Sequence, residues 1–179
     1  MSTASALVAH GVRPRQPAPD LTVPLLSGGT YRLVDQRPDG YTMVVFFRGL
    51  HCPVCRAQLS ELNRRLDDLR DQGIEVIVVS GETRERTEQL AAEWKLDRLP
   101  IAYGLTEEQM RNWGLFVSHG ISDAEPAVFS EPGLFLIASD GTVYYESIIS
   151  MPVGRPRLDD LLGGLKYWRE HNYPARGEA

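Results

Sequence analysis

Cysteine is scarce in this chain: of 179 residues only Cys52 and Cys55 carry a thiol. Two cysteines are too few to staple a small secreted scaffold, and a bridge across two intervening residues would close a trivial loop that hardly constrains the unfolded chain. Such a pair points to redox traffic rather than to stability. Long apolar runs are also missing. None approaches the roughly 20 residues that span a bilayer, and Met1 to Gly11 lacks both a cationic start and an apolar core. The chain therefore reads as cytoplasmic, without a membrane partner. Nor is there an excess of positive charge. The formal net charge is −5, charges of both signs are interspersed, and no Lys/Arg cluster stands clear of neighbouring Asp and Glu. That pattern argues against nucleic-acid binding.

What is present is patterned like one α/β domain. Residues 1–17, rich in Pro, Ala and Arg, read as a loose arm, and 18–179 as the folded domain. Leu21–Leu26 and Thr30–Leu33, joined by Ser27-Gly28-Gly29, predict a small hairpin. Thr42–Phe47 (TMVVFF) is a near-continuous apolar run, as expected of a central strand covered on both faces. From Pro53 to about Gln72, Cys55, Leu59, Leu62, Leu66 and Leu69 recur at alternating steps of four and three, predicting an amphipathic helix that begins on a proline and stops at Gly73.

Ile74–Val79 (IEVIVV) predicts a second buried strand and closes a βαβ unit, so the sheet is at least partly parallel. A helix is expected over Glu82–Lys95, and a short one from Thr106, where Thr106 and Gln109 have capping-box spacing. Leu134–Ala138 and Val143–Ile149 around Asp140-Gly141 predict a hairpin with a two-residue turn, and Arg157 to about Asn172 the last helix. Trp94 and Trp113 fall on apolar helix sides and read as core; Trp168 and Tyr167 read as packing or interface residues.

The chemistry concentrates in His51-Cys52-Pro53-Val54-Cys55, between the carboxyl end of the central strand and the start of a helix. Unpaired N–H groups and the positive end of the helix dipole favour an anion there, so a thiolate at Cys52 is expected to be stabilised. Cys55 lies in register with the leucine stripe and Cys52 one turn earlier at the tip. Cys52 is thus the expected attacking thiol, and Cys55 the more buried thiol that resolves the product as a 52–55 disulfide. C-x-x-C spacing also serves half-sites for zinc, but no second pair exists and only His10, His51, His119 and His171 are left to complete one. No metal or cofactor is expected.

The segment Phe46-Phe47-Arg48-Gly49-Leu50-His51-Cys52-Pro53-Val54-Cys55-Arg56 resembles the active-site region of peroxiredoxin-like redoxins of the alkyl hydroperoxide reductase / thiol-specific antioxidant family. The resemblance extends through Ala18-Pro19-Asp20, the LPIAYGL segment at 99–105 and the GLFLIASDGTVYY segment at 133–145. It implies a thioredoxin-like fold with a mixed central sheet flanked by helices and an N-terminal β-hairpin. It also implies reduction of peroxides or disulfides without a cofactor, using electrons from a dithiol donor such as a thioredoxin-like reductant. A homodimer is one assembly it leaves open.

The family motif P-x-x-x-T-x-x-C, laid over residues 48–55, puts Arg48 at the proline, Cys52 at the threonine and Cys55 at the peroxide-attacking cysteine, so two of the three positions depart. The family arginine three residues ahead of the phenylalanine of the later strand is here Pro132, ahead of Phe135, where thioredoxins have a cis-proline. Glu131-Pro132 is accordingly a candidate cis bond facing the cysteines. The candidate site residues are Cys52, Cys55, Arg48, His51 and Pro132. Arg48 and Arg56 read either as holding a thiolate or peroxide or as solvated charges, and His51 as a proton carrier or as cover for the sheet edge. The 125–131 stretch reads as a loop that either walls the site or merely connects. Three functions compete: the dithiol oxidoreductase, a peroxidase attacking through Cys55, and a non-catalytic redox-sensing module.

Overall fold

The computed structural model describes residues 11–179. Its centre is the apolar run read above: β3 (Tyr41–Phe46) alternates its side chains between two cores. Met43, Val45 and Phe47 face one, Val44 and Phe46 the other, and all five are at most 1% exposed. A strand covered on both faces must sit mid-sheet. It does so in the order β5-β4-β3-β8-β9. β4 (Ile74–Val79) and β5 (Ile101–Ala102) run parallel to it on one side, and β8 (Gly133–Ala138) and β9 (Val143–Ile148) form the antiparallel pairs on the other. The mixed sheet is the one expected. The two-residue β5 inside LPIAYGL and a further hairpin, β6 (Val117–His119) with β7 (Val128–Ser130), were not legible as strands.

The expected long helix after the cysteines is two: α1 (Pro53–Arg64) and α2 (Leu66–Asp71), parted at Arg65, whose guanidinium is held by Asp68 and by Asp159 of a later helix. The leucine stripe is unaffected, since Cys55, Leu59, Leu62, Leu66 and Leu69 are all buried on the same core. α3 (Arg84–Trp94) starts two residues later than expected because Thr83 is its cap, accepting from the Arg86 N–H. It contributes Leu90 and Trp94 to that core, which α5 (Leu158–Glu170) closes with Leu161, Leu162 and Leu165.

Across the sheet lie α4 (Glu107–Asn112) and the N-terminal hairpin β1 (Thr22–Pro24)/β2 (Thr30–Arg32). Both capping-box bonds of Thr106 and Gln109 form. Trp113, fully buried, sits 5.1 Å from Phe46 and 4.8 Å from Phe135, ring centre to ring centre, and is core as read. Trp168 packs instead on Tyr144 and Tyr145 of β9. The β8–β9 turn is longer than the two residues expected, with only Gly141 at positive φ and Asp140 bonding Thr142. Arg15 and Gln16 exchange backbone bonds with Val143, so this part of the N-terminal segment lies along the start of β9.

Candidate active site

The chain leaves β3 at the carboxyl end of a central strand, the edge where open α/β sheets gather their chemistry. It turns through Arg48–His51 and enters α1 at Pro53. Gly49 makes the turn at φ +135°, a conformation suited to glycine, and it lies so close to Glu82 that an added Cβ would collide with the carboxylate. The Cys52 N–H donates to the Gly49 carbonyl at 3.1 Å. Cys52 is then the N-cap of α1, its sulfur accepting the Cys55 N–H at 3.2 Å. A thiolate here does what a serine or aspartate oxygen does at an ordinary cap.

Cys52 and Cys55 are both reduced and both fully buried. For Cys55 that is the depth its register with the leucine stripe predicts. For Cys52 it corrects the reading of an exposed tip. The helix start is covered by a segment about 100 positions away, whose Arg155 places Nη2 3.8 Å from the Cys52 sulfur and 3.1 Å from that of Cys55. Arg155 is itself oriented: Nε donates to the Pro152 carbonyl at 2.8 Å and Nη1 to Gln58 of α1. This guanidinium on both sulfurs escaped the sequence reading. It lies in an irregular Pro- and Gly-rich stretch with no periodicity to mark it, and nothing in the sequence alone distinguishes it from a solvated arginine.

The two thiols are driven apart. Cys52 is pulled down to about 6 by the hydrogen bond from the Cys55 thiol, against the penalty of burial, with help from the Cys55 N–H, the Arg155 charge and Arg48. Cys55 is pushed up by burial and by the hydrogen bond it gives to Cys52, Arg155 opposing. The two shifts run in opposite directions, which favours the negative charge of a singly ionised pair on Cys52 rather than on Cys55.

Arg48 and His51 lie beside the pair but turn to a second wall. Arg48 Nε is 3.1 Å from a Glu131 carboxylate oxygen, and its guanidinium carbon is 4.9 Å from the Phe129 ring centre. Glu125 Oε1 stands 3.9 Å from both Arg48 Nη2 and His51 Nε2, and the His51 ring packs on Phe129 at 4.8 Å. The 125–131 stretch thus borders the site, and part of it is strand β7 rather than loop. Burial and the Arg48 charge hold His51 below its ordinary value, so it is neutral at pH 7.

The remaining candidates separate cleanly. The Glu131–Pro132 bond is trans, not cis. The chain runs from β7 straight into β8, the Glu131 N–H donating to Phe116 and the Pro132 carbonyl accepting from Ile149. Pro132 is buried where β8 meets Phe46, at the same end of the sheet as the cysteines. Arg56, His119 and His171 are exposed. His10 lies outside the described residues, among which no three His, Cys, Asp or Glu side chains form a metal-binding group.

Comparison with known proteins agrees with this architecture. The AhpC/TSA family model matches residues 14–146. No curated protein matches the chain. Among solved structures, a peroxiredoxin-like protein from Aquifex aeolicus is 17% identical with a TM-score of 0.71, the match covering 88% of each chain. The peroxidoxin BcpB from Mycobacterium tuberculosis is 15% identical at 0.70, over 87% of this chain and 97% of that one. A cysteine-to-serine mutant of the peroxiredoxin 6 of Arenicola marina is 14% identical at 0.79, over 91% and 76%. At such identities these neighbours establish the thioredoxin-like fold, while the family match spans most of the sequence with the thiol turn inside it. The chain belongs to the AhpC/TSA family and is a thiol-dependent oxidoreductase of peroxiredoxin type.

Proposed function

We propose that the protein reduces a peroxide or a disulfide through a dithiol cycle in which Cys52 attacks and Cys55 resolves. The observation that carries this is the geometry of the pair: Cys52 caps α1 with its sulfur accepting the Cys55 N–H at 3.2 Å, Cys55 lies one turn deeper, and Arg155 reaches both sulfurs, an arrangement that holds the Cys52 thiol low and the Cys55 thiol high. With a peroxide, the Cys52 sulfur bonds to one oxygen, the O–O bond breaks, and the other oxygen leaves as hydroxide or alkoxide and takes a proton from solvent. The Cys55 sulfur then attacks the sulfenic sulfur. An S–S bond forms, and hydroxide leaves with the Cys55 proton as water. A dithiol donor returns two electrons by exchange, and a thioredoxin-type reductant fits that role. With a disulfide substrate, the first product is a mixed disulfide that Cys55 displaces.

Arg155 would hold the anion through each step, and Arg48 would add a second positive charge on the Cys52 side. His51, neutral and without a hydrogen-bond partner, is proposed to exclude water rather than to carry charge. No described helix is long and apolar enough to cross a membrane.

A second reading rests on one distance, since Arg155 Nη2 lies closer to Cys55 than to Cys52 and Cys55 occupies the register of the family's peroxide-attacking residue. Brief peroxide treatment of Cys52→Ser and Cys55→Ser, read by mass spectrometry, decides between them. A sulfenic acid at position 52 in the Cys55→Ser variant is expected; one confined to position 55 reverses the assignment. Stopped-flow oxidation of the intact chain tests the whole cycle. If Cys52 is lost no faster than a free thiol, the dithiol enzyme is wrong; oxidation without turnover by any reductase would instead mark a redox-sensing module.

A further inference from the structure

Beneath the thiol turn lies a buried carboxylate that the redox cycle does not use. Glu82, 1% exposed, follows β4 and precedes α3, and its side chain reaches back to the neighbouring crossover. Oε1 accepts the Leu50 N–H at 2.9 Å, and Gly49 packs directly against the carboxylate. Oε2 accepts from Arg86 Nε at 2.6 Å. Arg86 passes the connection on: its Nη2 donates to the Ala124 carbonyl at 2.8 Å, next to the Glu125 that faces both Arg48 and His51. The backbone of Glu82 is fixed as well, its carbonyl accepting the Gly104 N–H at 3.0 Å.

A buried charge of this kind is expensive unless every lone pair is used, and removing one partner leaves the other uncompensated. Here the partners are not the reacting sulfurs. They are the backbone of the turn that delivers Cys52 to its cap, and the arginine that ties down the loop opposite. We propose that Glu82 is a positioning residue for the thiol chemistry. Through Leu50 and Gly49 it fixes the turn preceding Cys52, and through Arg86 it sets the loop bearing Glu125 against Arg48 and His51. This inference rests on the reading of Cys52 as the redox thiol.

Charge and position have opposite signs, which makes the idea testable. Glu82 is an anion on the turn, so its field alone disfavours a thiolate, and removing the charge alone would leave the Cys52 pKa unchanged or lower it. Losing the position instead lets Cys52 drift from the Cys55 side chain and N–H and from Arg155 and Arg48, the groups that face its sulfur, and raises the pKa.

The experiment is the pH profile of Cys52 alkylation by iodoacetamide in the Cys55→Ser background, which leaves Cys52 the only thiol, for the otherwise unchanged chain, Glu82→Gln and Arg86→Met. Thermal melts report folding. The positioning role predicts a profile displaced to higher pH in Glu82→Gln, with the rate at pH 7 reduced about tenfold, the factor that a midpoint lying about one unit above pH 7 imposes on thiolate fraction. Arg86→Met keeps the Leu50 bond and is expected to lose about threefold, and the double variant no more than Glu82→Gln alone, because both lie on one line of contacts.

A folded Glu82→Gln with an unmoved or lowered profile overturns the proposal. If Glu82→Gln does not fold, Arg86→Met decides, its side chain being a third exposed: an unmoved profile there overturns it. Cys52 of the intact chain, with Cys55 in place, reacting no faster than a free thiol would condemn the proposed function itself, and is distinguishable because it involves no change at Glu82.

Discussion

The two sides of the sulfur pair are built in different ways. One side is contiguous: Arg48 to Arg56 is a strand end, a glycine turn and a helix start, and the Cys55 N–H reaches Cys52 because cap geometry puts it there. The other side is assembled across the chain, from the β6–β7 region with Glu125 and Glu131 and from the segment before α5 with Arg155. The first supplies backbone dipoles, which at a helix start are worth about 0.3–1 kcal/mol to an anion. The second supplies full charges and dryness, where a charge-assisted hydrogen bond is worth about 1.5–3 kcal/mol. A dipole contribution of that size lowers a thiol by less than about one unit. The low value of Cys52 needs the Cys55 thiol beneath it first, then Arg155 from across the chain and Arg48 from the turn itself.

The largest effect is expected from removing the reacting group itself. Cys52→Ser is expected to reduce turnover with a dithiol donor to background, whereas Cys55→Ser permits one round of Cys52 oxidation and then stalls. Steady-state consumption of peroxide or of a model disulfide measures both. If Cys55→Ser turns over normally, resolution happens elsewhere. Next comes the far wall. Arg155→Met removes the cation from both sulfurs and leaves Gln58 unpaired, and the pH-7 alkylation rate of Cys52 is expected to fall about tenfold. An unchanged rate would mean that the contiguous side suffices alone.

The sign of the pH dependence follows from the same two sulfurs. Cys52 ionises with a midpoint at about 6, so its reactivity rises through that pH and then levels off, while Cys55 stays protonated across the range. In folding terms the folded form has lost the Cys52 proton where the unfolded form still holds it. Reduced protein therefore gains stability as pH rises from about 6 toward the ordinary thiol value, and loses it as pH falls through that midpoint. Denaturant melts of reduced chain at about pH 6 and about pH 8 check this. Equal midpoints would mean that the thiolate is no better held in the fold than out of it.

This division also sets what could be read before the fold was seen. TMVVFF, IEVIVV and the Cys55–Leu69 stripe carry their structure in local periodicity, and the strand-to-helix location of the cysteines followed from them. The roles of Glu82, Arg86 and Arg155 depend on long-range closure: each is a charged residue of ordinary local context until Leu50, Ala124 or the sulfurs arrive beside it. The cis-proline expectation failed for a related reason. It was transferred from position alone, and here Glu131 is occupied by Arg48 and Ser118 while its backbone continues extended into β8. Cys52 looked exposed because helix register ranks depth only against the sheet beneath, not against chain arriving from the other side.

A smaller effect calibrates the larger ones. Arg48→Met removes one charge beside the pair and leaves Glu131 and Glu125 without the guanidinium they share. Because Arg48 contributes less than Cys55 or Arg155 to holding the thiolate, the alkylation rate should fall only about threefold, with a clearer loss in stability.

Thr106→Ala removes a side-chain cap from α4, on the opposite face of the sheet, where Gln109 also holds the Thr22 carbonyl of the N-terminal hairpin. That change should cost about 1 kcal/mol of stability and leave the Cys52 pH profile untouched. Loosening the fold as a whole and loosening the turn are then separable quantities. A Thr106→Ala profile displaced like that of Arg155→Met would mean that thiol pKa tracks global stability, and the distinction between the contiguous and the assembled side would lose its force.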